Sequence, residues 1–174
     1  MKFFSLAILI CLLSSCADAQ SPIKEIQLDT GEYILLGAIK KEALQTGTYG
    51  DWYASYYAEY QTDDTLINKF QNEIKAYDIL LFMGTWCSDS QREVPRFMKI
   101  LEKAGFPEDQ LKIVALDKRD EFYKKSPGGE ERGFNIEYVP TFIFLKDGKE
   151  VNRIVEIPEN TLEMDIEKIL MGVE

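Results

Sequence analysis

Ile79-Leu80-Leu81-Phe82-Met83-Gly84-Thr85-Trp86-Cys87-Ser88-Asp89-Ser90 is the stretch whose reading decides the fold. The unbroken apolar run Ile79 to Met83 is what a strand covered on both faces requires. The period then changes. Val94, Phe97, Met98 and Leu101 recur at helical steps and define one face of a helix. Cys87 therefore stands where a buried strand ends and a helix begins. A thiol there is aimed at solvent and sits in the positive end of the helix dipole, which favours thiolate. A cysteine that merely packs usually lies inside an apolar run rather than at its exit, so the chemistry of Cys87 is the first question the chain poses.

Downstream, Pro95 lies inside the predicted helix and should kink it, and Gly105-Phe106-Pro107 stops it. Leu111 to Leu116 is the next strand, and the intervening helix makes the pair a parallel βαβ unit. Asp117 to Tyr138 is polar and irregular, with a short helical stretch at Asp120 to Lys125 broken by Ser126-Pro127-Gly128-Gly129. Thr141 to Leu145 and Val151 to Val155 flank Lys146-Asp147-Gly148-Lys149, a hairpin signal. Asn160-Thr161-Leu162-Glu163 approximates a capping box before a last helix with Leu162, Ile166, Ile169 and Leu170 on its apolar face.

Upstream, Asp63 and Asp64 offer N-caps to a helix presenting Leu66, Ile67, Phe70 and Ile74. Tyr33 to Ile39 reads as a short strand. Lys40 to Gln61 reads as helical but broken by Gly47 and Gly50, with Tyr49, Trp52, Tyr53, Tyr56, Tyr57 and Tyr60 at helical steps. A stripe this aromatic is costly to leave in water. It either packs down on the main domain or forms a partner-binding face.

The chain has 174 residues, with 30 Asp and Glu against 20 Lys and Arg, a net charge of −10, and 45% hydrophobic residues, ample for one core. Such a chain is repelled by nucleic acid and by anionic lipid, and no basic run with interleaved aromatics offsets that. There is no histidine, which removes Ser-His-Asp and Cys-His machinery and leaves too few soft ligands for zinc or copper. No Gly-rich phosphate loop is present. Neither a metal nor a cofactor is expected.

Lys2 and the apolar stretch Phe3 to Leu13, too short to span a bilayer, lead to Leu13-Ser14-Ser15-Cys16. This resembles a bacterial lipoprotein signal in which Cys16 becomes the lipidated first residue of the mature chain. Ordinary cleavage near Ala17-Asp18-Ala19, with loss of Cys16, is the alternative. The lipidated form implies an exported protein, lipid-anchored in the cell envelope and facing the periplasm. Of the three cysteines, Cys11 leaves with the signal and Cys16 carries lipid, so Cys87 is the one free thiol of the mature chain. No intramolecular disulfide can form. The expected divisions are a signal over 1–16, a tether and aromatic-rich extension over 17–61 (with 17 to about 30 as polar tether), and a main domain over 62–174.

The order strand, Cys at a helix start, helix, strand, irregular segment, hairpin, helix resembles the thioredoxin family over roughly 62–174. Trp86-Cys87-x-x-Ser90 stands where that family has Trp-Cys-x-x-Cys, Pro95 where its helix carries a kinking proline, and Val139-Pro140-Thr141 where it has its cis-proline segment. The resemblance implies an α/β, three-layer thioredoxin-like fold with a mixed central sheet, here with an N-terminal helical extension. It also implies that Cys87 is the nucleophile. Pro140, if cis, places the Val139 backbone beside Cys87, ready to pair with an extended substrate strand. Trp86, Val139 and Thr141 would shape the docking surface.

The departures from that pattern matter. Ser90 replaces the resolving cysteine and can only hydrogen-bond to a Cys87 thiolate, so any mixed disulfide must be released from outside. Leu81 stands where thioredoxins commonly keep a buried acid that serves the second thiol. Asp89 opposes a nearby thiolate, and Arg92 could offset it. The expected function is monothiol thiol–disulfide exchange, isomerase-like or of the glutathione type, on protein or low-molecular-weight disulfides, by a membrane-tethered monomer. The alternative is a non-catalytic module that docks an extended peptide beside Trp86 and Pro140.

Overall fold

The computed structural model describes residues 24–172. Its centre is β3 (Asp78–Met83), which pairs in parallel with β4 (Leu111–Ala115) and antiparallel with β5 (Thr141–Lys146). The apolar run does what its composition requires. Alternate residues face opposite sides: Ile79, Leu81 and Met83 enter a core shared with the helices, while Leu80 and Phe82 enter a second cluster on the other face. The β5–β6 hairpin (β6, Lys149–Val155) turns at Asp147-Gly148, both at positive φ, as the Asp-Gly signal predicts.

Two strands come from upstream. β2 (Tyr33–Ile39) lies antiparallel to β4, and β1 (Lys24–Gln27) pairs antiparallel with β2, giving a six-stranded mixed sheet in the order β1-β2-β4-β3-β5-β6. The tether reading of 17 to about 30 is thus corrected from Lys24 onward. The cause is a tight hairpin in which Leu28 N–H donates to the Glu32 carbonyl and Gly31 takes φ +86°. Ile34, Leu35 and Leu36 are buried, so strands from within 17–61 belong to the sheet of the main domain. Cys11, Cys16 and the signal lie outside the described residues.

Four helices cover one face. α1 (Gly47–Glu59) packs on α3 (Ser88–Lys103), and α2 (Asp64–Phe70) on α4 (Leu162–Met171). The aromatic stripe lies inward: Tyr49 and Tyr53 are buried and Trp52, Tyr57 and Tyr60 pack against the core. Gly50 does not break α1. A Cβ there would come within 3.0 Å of the Gln45 carbonyl, so glycine lets the helix pass its own entry turn. Lys99 Nζ donates to the carbonyls of Tyr57 and Tyr60, closing the C-terminal end of α1 from a neighbouring helix. Asp63 caps α2 through the N–H groups of Thr65 and Leu66. Thr161 caps α4 through Met164 N–H, but the capping box does not close: Glu163 instead accepts from Tyr60 Oη and Asp63 N–H, tying α4 to the end of α1.

The third layer is irregular. On the opposite face Phe134 and Ile136 pack against Leu80, Phe82 and Val114, and within 117–138 only Asp120–Phe122 forms a helical (3-10) turn. The layered α/β architecture is the expected thioredoxin-like one. Among the described residues, no helix is long and apolar enough to cross a membrane.

Candidate functional site

Cys87 is the N-cap residue of α3, with extended backbone (φ −92°, ψ 124°). Its N–H donates to the Gly84 carbonyl and its carbonyl accepts from Gln91 N–H. The strand therefore turns through Gly84-Thr85-Trp86 directly into the helix. The turn needs a glycine: a Cβ on Gly84 would lie 2.6 Å from the Trp86 ring. The sulfur is half-buried and the thiol donates to the Val139 carbonyl at 3.1 Å.

The Val139–Pro140 peptide bond is cis, as the resemblance implies. Pro140 is followed by β5, and its carbonyl accepts from Glu156 N–H at 2.7 Å, fixing the segment to the end of β6. Val139 has a buried side chain. Its N–H finds no acceptor among the described residues, which leaves one backbone donor free beside the thiol.

Two expected roles are corrected. Ser90 is fully buried, and its Oγ accepts from Gly84 N–H at 3.2 Å rather than meeting Cys87. It closes the strand-to-helix turn. Thr141 is also buried, and its hydroxyl donates to the Tyr138 carbonyl at 2.7 Å. Its side chain braces the cis-proline segment from inside and offers no docking surface. Arg92 does pair with Asp89, the offset expected, but shares itself with a second carboxylate. It holds Asp89 at 2.7 Å and Glu93 at 2.6 Å, and the Glu93 carboxylate is the main reason its own pKa rises. Leu81 is fully buried in the helical core, and Asp78 is exposed at the start of β3.

Trp86 and Cys87 pack against the same apolar cluster on the second face of the sheet. The Trp86 indole N–H donates to the Leu116 carbonyl at 2.9 Å, and its ring lies 5.7 Å from that of Tyr123. Sequence reasoning missed this partner because Tyr123 falls in the segment read only as polar and irregular. Lys124 (φ +56°) follows, its ammonium 4.9 Å from the Tyr123 ring and 5.1 Å from that of Tyr138. Asp117 anchors the segment. Burial pushes its carboxyl up, but the Arg119 guanidinium and backbone N–H outweigh that and hold it below the usual carboxylate range. Among the described residues no three His, Cys, Asp or Glu side chains converge as a metal site.

The site is thus a strand running into a cysteine at a helix N-terminus, opposite a cis-proline. A family model described as thioredoxin matches residues 40–168. This chain belongs to the thioredoxin family. It is 32% identical over 108 residues to the chloroplastic thioredoxin Y of Oryza sativa subsp. japonica, covering 62% of this chain and 56% of that protein. It is 31% identical over 85 residues to an H-type thioredoxin of Picea mariana, covering 49% of this chain and 60% of that one. This thioredoxin-family chain thus spans little more than half the length of those relatives. Among solved structures it is similar to thioredoxin from Aeropyrum pernix, at 17% identity and a TM-score of 0.39, covering 66% of this chain and 86% of that one.

Proposed function

We propose that this thioredoxin-family chain performs monothiol thiol–disulfide exchange through Cys87, exported and anchored in the cell envelope by a lipid on Cys16, facing the periplasm. The observation that carries the reading is the placement of Cys87 Sγ at the N-terminus of α3, against the Val139 carbonyl, with serine at position 90 committed to Gly84. The Cys87 thiol gives up its proton to solvent and the thiolate attacks one sulfur of a disulfide. A Cys87–substrate S–S bond forms, the substrate's own S–S bond breaks, and the other half leaves as a thiolate. Nothing is oxidised or reduced on balance. Among the described residues no second thiol reverses the step, so an outside thiol, or a second thiol of the substrate, attacks the mixed disulfide and restores Cys87. That suits isomerisation or exchange with small thiols better than net disulfide reduction.

Val139 takes part through its backbone. Its N–H, without an acceptor among the described residues, would donate to an extended chain entering beside Cys87. Treatment with glutathione disulfide tests the reading. The mature, lipidated chain should gain one glutathione per molecule, its Cys87→Ser variant should gain none, and an unmodified wild-type chain would refute exchange. Fractionation tests the tether: Cys16→Ala should move the protein from the membrane fraction to the soluble one, and an unchanged distribution would refute the lipid anchor.

A further inference from the structure

From Trp86 a continuous line of side chains runs around the thiol and returns to it. The Trp86 ring meets Tyr123 at 5.7 Å, the Lys124 ammonium bridges the Tyr123 and Tyr138 rings at 4.9 and 5.1 Å, and Tyr138 adjoins Val139, whose carbonyl meets Cys87 Sγ at 3.1 Å. Tyr123 and Tyr138 are each 49% exposed. Their backbones are fixed. Lys124 N–H donates to the Asp117 carbonyl while Asp117 N–H donates to that of Lys125, and the Tyr138 carbonyl is held by the buried Thr141 hydroxyl. Lys124 keeps a left-handed backbone that a lysine adopts only where the surroundings impose it. Two large rings held half in water beside a reactive thiol present apolar surface with little ordering entropy left to lose on binding.

We infer that this rim, Trp86–Tyr123–Lys124–Tyr138, is a specificity surface for extended protein segments that carry a large apolar or aromatic side chain next to the disulfide cysteine. The inference rests on the exchange reading for its chemistry and on the rim geometry for its selectivity. Charge argues for this occupant over an anionic tripeptide such as glutathione. Arg92 is paired with Asp89 and Glu93 and Arg119 with Asp117, whereas the Lys124 ammonium meets only the Glu137 carbonyl and the two rings. A ligand with free carboxylates thus meets one unpaired cation, on a chain whose net charge of −10 repels it. An extended apolar segment gains the rings and can place one carbonyl on the free Val139 N–H.

The test measures docking apart from chemistry. Fluorescence anisotropy would follow a labelled twelve-residue peptide, with serine replacing its cysteine and phenylalanine or glycine on either side, binding to the full chain. The phenylalanine peptide should bind about tenfold more tightly than the glycine one, the gain expected when side chains stack on two rings. Tyr123→Ala/Tyr138→Ala should reduce that ratio to about two or less. Tyr123→Phe/Tyr138→Phe, which keeps the rings, should preserve it and so controls for folding. Equal binding of the two peptides by wild type, or a ratio unchanged in the alanine variant, would overturn the inference. The glutathione adduct on Cys87 reads out separately whether exchange itself holds: a rim that selects peptides on a chain taking no adduct would leave a binding module, and an adduct without selection would leave exchange without this rim.

Discussion

At the scale of single residues, Ser90 carries the sharpest lesson. Its place in the motif is that of a partner to Cys87, whereas its hydroxyl is used by the backbone of Gly84. Ser90→Ala leaves that buried N–H without an acceptor, at a cost of about 1–3 kcal/mol. Denaturant unfolding should show this loss while the rate of adduct formation on Cys87 stays within about twofold. A serine that acts on the thiolate would instead show the reverse pattern. Ser90→Cys is the complementary change. Side chains at the N-cap and at the third helical position reach the same end of the helix, so a thiol at position 90 can attack a mixed disulfide on Cys87. It would close an intramolecular disulfide and expel the substrate half. The glutathione adduct that persists on wild type should therefore fail to accumulate, as intact mass would show. The buried Leu81 places no acid behind that pair, so resolution should remain slower than the motif alone would give.

At the scale of elements, the irregular layer over 117–138 does the work a helix might have done. It covers Leu80 and Phe82 with Phe134 and Ile136 and delivers Tyr123 to Trp86. Its anchor is the Asp117–Arg119 pair, with the carboxylate buried and the guanidinium half in water. Because Asp117 titrates below its ordinary value in the folded chain, its ionised form contributes stability that is present above about pH 4 and lost as pH falls through the lowered folded pKa. Asp117→Asn should therefore lower stability at neutral pH by about 1 kcal/mol, discounted for the exposed partner. The difference from wild type should shrink below about pH 4, followed by thermal unfolding across that range. This layer is also where the sequence was least legible. β3, α3 and the hairpin were readable because burial on two faces, a 3.6-residue period and an Asp-Gly turn each leave a local signature. The contact of Tyr123 with Trp86 spans long sequence separation and depends on loop geometry, which leaves no period to read. β1 carried a signal in Gly31, but four mostly polar residues on a sheet edge resemble a tether. At the site, Cys87 was legible from the change of period where β3 meets α3, and Pro140 only through the family resemblance. The inward turn of Ser90 and Thr141 was not, because hydroxyl partners are decided by packing.

At the scale of the whole molecule, the net charge of −10 sets how the site meets small anionic disulfides. Like charges slow encounter, and salt screens them. The rate of reaction with glutathione disulfide should rise, by about two- to fivefold, between 10 and 200 mM salt, and a rate that falls with salt would show that cations near Cys87 outweigh the molecular charge. An uncharged apolar peptide disulfide should show little dependence. The molecule that emerges is a sheet whose helical face is bound together by an aromatic α1, and whose other face brings one thiol, one free backbone donor and a rim of exposed rings together.

The measurement that bears most directly on monothiol exchange at Cys87 is intact mass of the mature, lipidated chain after brief exposure to glutathione disulfide, followed by removal of all small thiols. The account predicts one glutathione on Cys87 that persists until an outside thiol is added and then leaves completely. An unmodified protein, or an adduct that discharges with no thiol added, would contradict it.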